Sequence, residues 1–395
     1  MIKRLLFTLL LLVSFMQLKA VVCLPEWKYT RTISVTNANA SAYTNFQVKV
    51  VLNTAALVAA GKMNINGDDI RFTDASCSKL NYWIDSNMNT TATVIWVKLK
   101  TLPASGSSTI NMYYGNLCAT ALQNGDSTFA FFDDFTGTTL NTTKWTKYNQ
   151  NTAAGTLSIT GGNANFNLTT ATDLIIRTNA TFTGLTRSEM KVKWNSGSFP
   201  SIAQLNSATF AGVTLGSNGS FFFNNQTSAS CNSYTATTTP SASAKSNGVW
   251  GITWPATNSS IGSFTAGSIT NSTTPSLAAS THTALGLMCS STGNLLVDWC
   301  RVRTYAPVEP STTVNAETTQ GISITLSPNP VCPGGKLTVS FTKTGVFFSA
   351  GNIFKLQLSD ASGNFTTPFT LATKTDTVLT TMVVDIPSTS VAGSG

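Results

Sequence analysis

Acidic residues are scarce in this chain, so their placement limits the chemistry it is equipped for. Asp133 and Asp134 stand in the run FAFFDDF at residues 129–135, and Asp298 stands in LLVDWCRVRTY at residues 295–305. Both runs read as strands. Alternation puts Phe129, Phe131, Asp133 and Phe135 on one face of the first, with Phe132 and Asp134 on the other. In the second, Leu295, Val297 and Trp299 share a face, and Leu296, Asp298 and Cys300 share the opposite one. The two runs are expected to be neighbours in one sheet, which brings carboxylates together in apolar surroundings. Burying like charges is costly unless a cation intervenes. Arg301 or Arg303 supplies one by a bidentate pair. The alternative is a structural calcium ion on Asp133, Asp134 and Asp298, its remaining ligands drawn from backbone oxygens. The arginine or a plain hydrogen-bonded arrangement is the expected one, because two carboxylates make a thin calcium site.

Catalysis is not expected. A retaining glycosidase needs two carboxylates about 5 Å apart on one face. The nearest strand, SEMKVKW at residues 188–194, offers only Glu189, which reads as a surface residue. The single histidine, His282 in STHTALG, builds neither a His-rich zinc site nor a Ser/His/Asp arrangement. No glycine-rich phosphate loop joins a strand to a helix. The net charge is +8, but the basic residues are scattered rather than clustered, so no nucleic-acid partner is expected.

Aromatic residues are the remaining candidates for binding. In STINMYYGN at residues 108–116, Ile110, Met112 and Tyr114 share one face, and Tyr113 faces the other way just before the turn at Gly115-Asn116. Trp27, Tyr29, Tyr82 and Tyr113 are therefore candidate stacking surfaces for a polysaccharide or cell-surface glycan. Their plainer role is packing under loops or against a neighbouring domain. Trp83 and Trp96 lie in apolar strands and read as core.

Lys3 and Arg4, the apolar run Leu5–Met16 and the small residue Ala20 form a secretory signal. Residues 1–20 are read as that signal, and the mature chain as secreted or displayed on a bacterial surface, with no membrane span. Loss of Lys3, Arg4 and Lys19 leaves a net charge of about +5. Seven cysteines in an exported chain point to one to three disulfides with at least one thiol over. Cys77, Cys118, Cys231, Cys289 and Cys300 are the candidates. Cys231 has two possible partners, Cys289 and Cys300, on the two arms of one expected hairpin.

The elements that must position these groups are strands almost throughout, with one short alanine-rich helix expected over Thr54–Met63. The fold class is all-β: a sandwich over residues 24–125, a larger jelly-roll sandwich over 127–308, a polar linker over 309–320, and an unfinished sandwich over 321–395. Further domains are expected beyond Gly395.

Six motifs carry a family resemblance: WKYTR (Trp27–Arg31), DIRFTD (Asp69–Asp74), NYWID (Asn81–Asp85), VIWVK (Val94–Lys98), MYYGN (Met112–Asn116) and FFDDF (Phe131–Phe135). Together they resemble a bacterial surface-domain family known only as domain of unknown function 2341. The resemblance implies export and a place at the front of multidomain proteins, ahead of jelly rolls; it implies no activity. The second segment is similar to concanavalin-like lectin/glucanase domains through DDF and TTKW (Thr142–Trp145) at its start and VDWCRVRTY at its end. The hydrolases among these carry Glu-x-Asp-x-x-Glu, which is absent here. The last segment, with LSDASGNF (Leu358–Phe365), resembles Ig-like repeats of large surface proteins. The resulting expectation is a non-catalytic glycan-binding or adhesive protein. A purely structural stalk is the alternative, and an unusual glycoside hydrolase the third.

The exported form should begin at or near Val21 and carry no lipid; intact-mass measurement of secreted protein checks this, and a diacylated Cys23 would contradict it.

Overall fold

The computed structural model describes residues 23–390 except 25, 86–87, 150–153, 171–172, 183–184, 196–200, 207–220, 226–228, 233–236, 239–246, 255–261, 267–268, 274–281, 291, 330, 345–352 and 377–379. The expected signal lies outside them. The described residues form two compact units: residues 31–316, and residues before 31 together with those from 317 onward. Both are all-β.

The first sandwich is built from β1 (Tyr29–Thr36), β2 (Tyr43–Leu52), β3 (Arg71–Asp74), β4 (Tyr82–Ile84), β5 (Thr93–Leu102) and β6 (Ser107–Tyr114). One sheet runs β1-β6-β3 and the other β2-β5-β4. Alternation sends Ile33, Val35, Phe46, Val48, Val50, Ile95, Val97, Ile110 and Met112 into the core. The helix α1 (Thr54–Ala59) starts on the Asn53 side chain, which accepts from the Ala56 amide at 3.0 Å. It ends earlier than expected because Gly61, at φ 64°, takes the left-handed conformation that stops a helix.

The second sandwich follows through α2 (Gly125–Thr128), β7 (Phe131–Asp133), β8 (Trp145–Asn149), β9 (Gly155–Ile159), β10 (Ala164–Leu168), β11 (Asp173–Thr178), β12 (Thr186–Asn195), β13 (Ser201–Asn206), β14 (Phe221–Asn225), β15 (Ala229–Asn232), β16 (Thr237–Thr238), β17 (Gly248–Trp254), β18 (Gly262–Ala266), β19 (Ile269–Thr273), β20 (His282–Ser290) and β21 (Gly293–Thr304). One sheet has the order β19-β18-β17-β12-β21-β10-β9 with β7 also on β21; the other has the order β16-β15-β14-β13-β20-β11-β8. Between them lies one core that includes Trp145, Phe166, Met190, Trp250, Leu287 and Val297.

The chain then returns. Residues 309–320, expected as a linker, contain β22 (Ser311–Thr319), which pairs with β1 at the edge of the first sandwich. Its threonines and Val314 are strand formers, and β1 offers them an open edge. Asn315 binds Thr32 Oγ1 at 3.0 Å, and Thr312 Oγ1 donates to Lys49 O at 2.8 Å. The second sandwich is thus an insertion between β6 and β22 of the first. The expected border at residues 125–127 falls inside α2, within the single unit 31–316.

The other unit contains β23 (Gly321–Ser327), β24 (Lys336–Thr344), β25 (Ile353–Leu358), β26 (Phe369–Thr375) and β27 (Thr381–Asp385), paired as β23-β24-β27 and β25-β26. Leu337, Val339, Val384 and Ile386 form its small core. On β23, Ile324 and Leu326 sit opposite Phe341 and Val339 but remain 57% and 37% exposed.

Three expectations about β20, β21 and β7 need correction. β20 and β21 are not arms of a hairpin, because the chain crosses from one sheet to the other between them. Alternation along β21 breaks at Asp298. Lys191 pairs with Trp299 and Val192 with Val297, leaving Asp298 as an extra residue in a β-bulge. The bulge reverses the phase. Leu295, Val297, Cys300 and Val302 point into the core, while Trp299, Arg301 and Arg303 belong to the outer face. Phe129 shares a cluster with Phe132 rather than Phe131, because the strand begins only at Phe131.

The cysteines bear out the expectation of at least one disulfide with thiols over, and differ from it in which residues take part. Cys23 and Cys77 are disulfide-bonded. Cys118 and Cys332 are free and exposed, whereas Cys289 and Cys300 are thiols buried in the second core. Cys231 lies on β15, and its side chain is outside the described residues. Burial first, and Asp133 next to it, push the Cys300 thiol well up from its usual range. Maleimide labelling with peptide mapping should therefore modify Cys118 and Cys332 in native protein. Cys289 and Cys300 should react only after denaturation, and Cys23 and Cys77 only after reduction.

Candidate functional site

The outer face of the second sandwich carries charge where a sandwich surface ordinarily meets water. Strand register lines up three rows across β17, β12 and β21: Val249, Lys191 and Trp299; Gly251, Glu189 and Arg301; Thr253, Arg187 and Arg303. Phe132 of β7 extends the middle row beyond Arg301. Glu189, expected on the surface, is buried and holds three arginines. Its Oε1 accepts from Arg187 Nε at 2.7 Å and its Oε2 from Arg301 Nε at 2.7 Å, with Arg303 Nε at 3.4 Å. Gly251 makes room for this arrangement, since a Cβ there would lie 2.6 Å from Arg187 NH2.

Two more carboxylates complete the charge balance. Arg303 donates to Glu309 at 2.7 Å, and Arg301 donates to Asp85 at 3.1 Å. Three arginines thus meet three carboxylates. Burial pushes the Glu189 carboxyl up, but Arg303, Arg301 and Arg187 outweigh it and hold the group well below the usual carboxylate range. With both oxygens engaged and its acidity increased, Glu189 is unsuited to protonate a leaving group, which requires a raised pKa.

Asp85 comes from the first sandwich, so the cluster bridges both. Trp96 Nε1 donates to the same Asp85 oxygen at 2.9 Å. Around Arg301 stand Trp299 at 4.3 Å, Trp96 at 4.7 Å, Phe129 at 5.0 Å and Trp83 at 5.7 Å, measured from guanidinium carbon to ring centroid. A desolvated guanidinium among ring faces gains cation–π attraction of roughly 2 kcal/mol or more. Trp83 and Trp96 are register partners, so they present one face of the β4-β5 pair to the second sandwich.

Beside this seam run two joined clefts. One, of about 630 Å³, is lined by Trp83, Gln123, Asn124, Asp126, Asn141 and Lys144, among others. The other, of about 380 Å³, includes Asp85, Met88, Lys191, Asp298 and Trp299. They share Trp83, Ile84, Gln123 and Asp134 and form a continuous trough. A third cleft of about 610 Å³ opens over the arginines and includes Lys49, Tyr305 and Thr312.

The residues expected to do chemistry are placed differently. Asp133 and Asp298 do not meet. The bulge turns Asp298 toward Lys193 at 2.7 Å and Lys191 at 3.3 Å. Asp133, opposite Cys300, accepts from Trp145 Nε1 at 2.6 Å and the Phe135 amide at 2.8 Å. Burial pushes its carboxyl up. Asp134 accepts from Thr136. No group of three or more His, Cys, Asp or Glu side chains placed to hold a metal ion is found among the described residues. Arg301 and Arg303 do neutralise buried carboxylates, but these are Glu189, Asp85 and Glu309.

Tyr82 and Tyr113 are not exposed platforms. Tyr82 is buried against Phe72 and donates to Ile70 O at 2.7 Å. Tyr113 is 1% exposed opposite Arg71, whose guanidinium binds Asp68, Ile70 and Thr120 backbone oxygens. Loop backbone therefore borders that face. Tyr114 is buried as expected and accepts from Arg31 at 2.8 Å. Trp27 and Tyr29 are half-buried in the other unit. The first strand of the second sandwich does lie beside its last, through β7 and β21. Trp83, Gln123 and Trp299 were missed as binding candidates. Their signal was the complementary pair of outward faces, Arg-x-Glu-x-Lys on β12 and Trp-x-Arg-x-Arg on β21.

Residues 66–148 match the family described as Domain of unknown function (DUF2341). This span runs from the turn before β3 into β8 and so takes in both sides of the seam at Trp83 and Phe132. No curated protein is similar in sequence. Among solved structures, LamAcat from Zobellia galactanivorans is similar at 12% identity and TM-score 0.33, over 46% of this chain and 100% of that one. A prokaryotic beta-1,3-1,4-glucanase (lichenase) from a mouse hindgut metagenome is similar at 11% identity and TM-score 0.32, over 44% and 99%. The beta-glucanase of Bacillus licheniformis is similar at 12% identity and TM-score 0.31, over 44% and 98%.

Glu189→Gln should leave buried arginines under-neutralised and destabilise the protein by about 3–5 kcal/mol in denaturant unfolding. The wild-type stabilisation should be complete above the unfolded carboxyl pKa of about 4.3 and fade as pH falls through the lower folded value. Gly251→Ala should lower the melting temperature through the same cluster.

Proposed function

We propose that the protein is exported to the bacterial surface, binds glycan without hydrolysing it, and uses the trough beside Trp83 to do so. The trough carries this reading. An aromatic ring is set among amides, carboxylates and ammonium groups, in a groove of the size small-molecule sites use. Sugars present that same alternation of apolar ring faces and hydroxyl edges. The signal-like N-terminus and the disulfide-bonded Cys23 and Cys77 support an oxidising, extracytoplasmic location. No helix among the described residues is long and apolar enough to cross a membrane. The engagement of Glu189 by arginines supports binding over hydrolysis. In this reading the last unit is an Ig-like spacing module.

A stalk is the second reading, supported by the buried seam, which suits a rigid spacer. A glycan array probed with the whole chain separates the two: binding lost in Trp83→Ala with the fold intact supports the trough, and an empty array supports the stalk. Release of reducing sugar from any bound polysaccharide would overturn the non-catalytic reading.

A further inference from the structure

The narrower end of the trough contains a donor with nothing to donate to. Trp299 is 3% exposed and lines this end, yet its Nε1 has no hydrogen-bond partner. An indole N–H only donates, so what satisfies it is an oxygen acceptor. The other polar groups of this pocket are mainly acceptors. Asp134 uses one carboxylate oxygen on Thr136, leaving the second open among the described residues. Asp85 uses one oxygen on Trp96 and Arg301. Asp298 is matched by Lys191 and Lys193. Asp85 is thus paired with Arg301 and Asp298 with two lysines, so among the described residues Asp134 is the carboxylate of this lining left without a cation.

We infer that this pocket takes one neutral, hydroxyl-bearing sugar residue and discriminates against uronates and sulfated sugars. The inference rests on the glycan reading above. A hydroxyl group meets both demands at once, donating to Asp134 while another oxygen of the ring or its substituents accepts from Trp299 Nε1. A carboxylate or sulfate ester satisfies the indole but sets its own charge against Asp134. The pocket, about 380 Å³, has room for one such residue, with the wider cleft beyond Trp83 holding its neighbours in an oligosaccharide. The indole N–H is closed to solvent in this structure. Met88, an unbranched apolar side chain, lines the same pocket.

Calorimetric titration of the full chain at physiological salt tests this with laminarihexaose, cellohexaose and mannohexaose as neutral probes and hexagalacturonate as the acidic one. At least one neutral probe should bind about tenfold or more tightly than hexagalacturonate. Trp299→Phe, which removes the N–H, should weaken that binding about tenfold. Asp134→Asn touches an exposed turn and keeps the fold testable if Trp299→Phe does not fold; it should weaken neutral binding and narrow the gap to hexagalacturonate. Tighter binding of hexagalacturonate overturns the inference while sparing the glycan reading. So does an Asp134→Asn chain with unchanged affinities. Absence of binding to all four probes and to the array removes the glycan reading itself, and this inference with it.

Discussion

A buried guanidinium sets the terms for much of the 31–316 unit. Arg301 is 2% exposed, and a cation so placed must be neutralised and hydrogen-bonded or the fold does not tolerate it. Its partners come from five segments: Glu189 from the adjoining strand, Asp85 and Trp83 from β4 and its end in the other sandwich, and aromatic faces from β5, β21 and the turn before β7. Glu189 in turn is tolerable only because Arg187 and Arg303 share it. Each member is stable because the others are present. Such a set fixes the relative position of two sheets far more sharply than apolar contact, which slides at little cost. Specificity of docking, rather than net stability, is what a buried ionic network of this kind supplies.

The covalent path reinforces that docking. The second sandwich is inserted between β6 and β22, so the chain crosses the seam twice. Gln47 of β2 spans the same junction, accepting from the Thr304 amide at 3.0 Å and donating to Thr128 O at 3.1 Å. A cut at residue 126 would therefore leave Trp299, Phe132 and three arginines facing water from one side, and Trp83 and Trp96 from the other. The unit that folds is the pair.

Individual strands and the adjacency of β7 and β21 were legible in the sequence, because period-two alternation and the placement of first and last strands are local or general features. Three things were not. The bulge at Asp298 depends on which β12 residue stands opposite, and a single strand does not record its partner's register. Glu189 sits on a face that reads as surface, Arg-Glu-Lys-Lys at alternate positions, and so it is the outside of its own sandwich. Only the arrival of a second sandwich buries it. The threonine-rich residues after Pro310 carry the composition of a linker and the β-branched content of a strand, and the open edge of β1 decides between them. All three failures share one cause: the deciding partner lies far away in the chain.

The same distance explains why the candidate site lies where it does. Trp83 sends its ring against Trp299 at 5.6 Å and Phe132 at 4.8 Å while also lining both clefts. Asp85, two residues on, is at once the counter-charge of Arg301 and a wall of the narrower pocket. A groove at the rim of a seam inherits side chains whose rotamers are already fixed by packing on the other side. Fixed rotamers lower the entropy lost when a ligand binds, which is the advantage of building a site on rigid elements. The linkage also runs in reverse. Any molecule that grips Trp83 binds only the docked pair, so its binding energy adds to the stability of the seam by mass action. In the function proposed above, a binding trough and a rigid spacer are two consequences of one buried arginine.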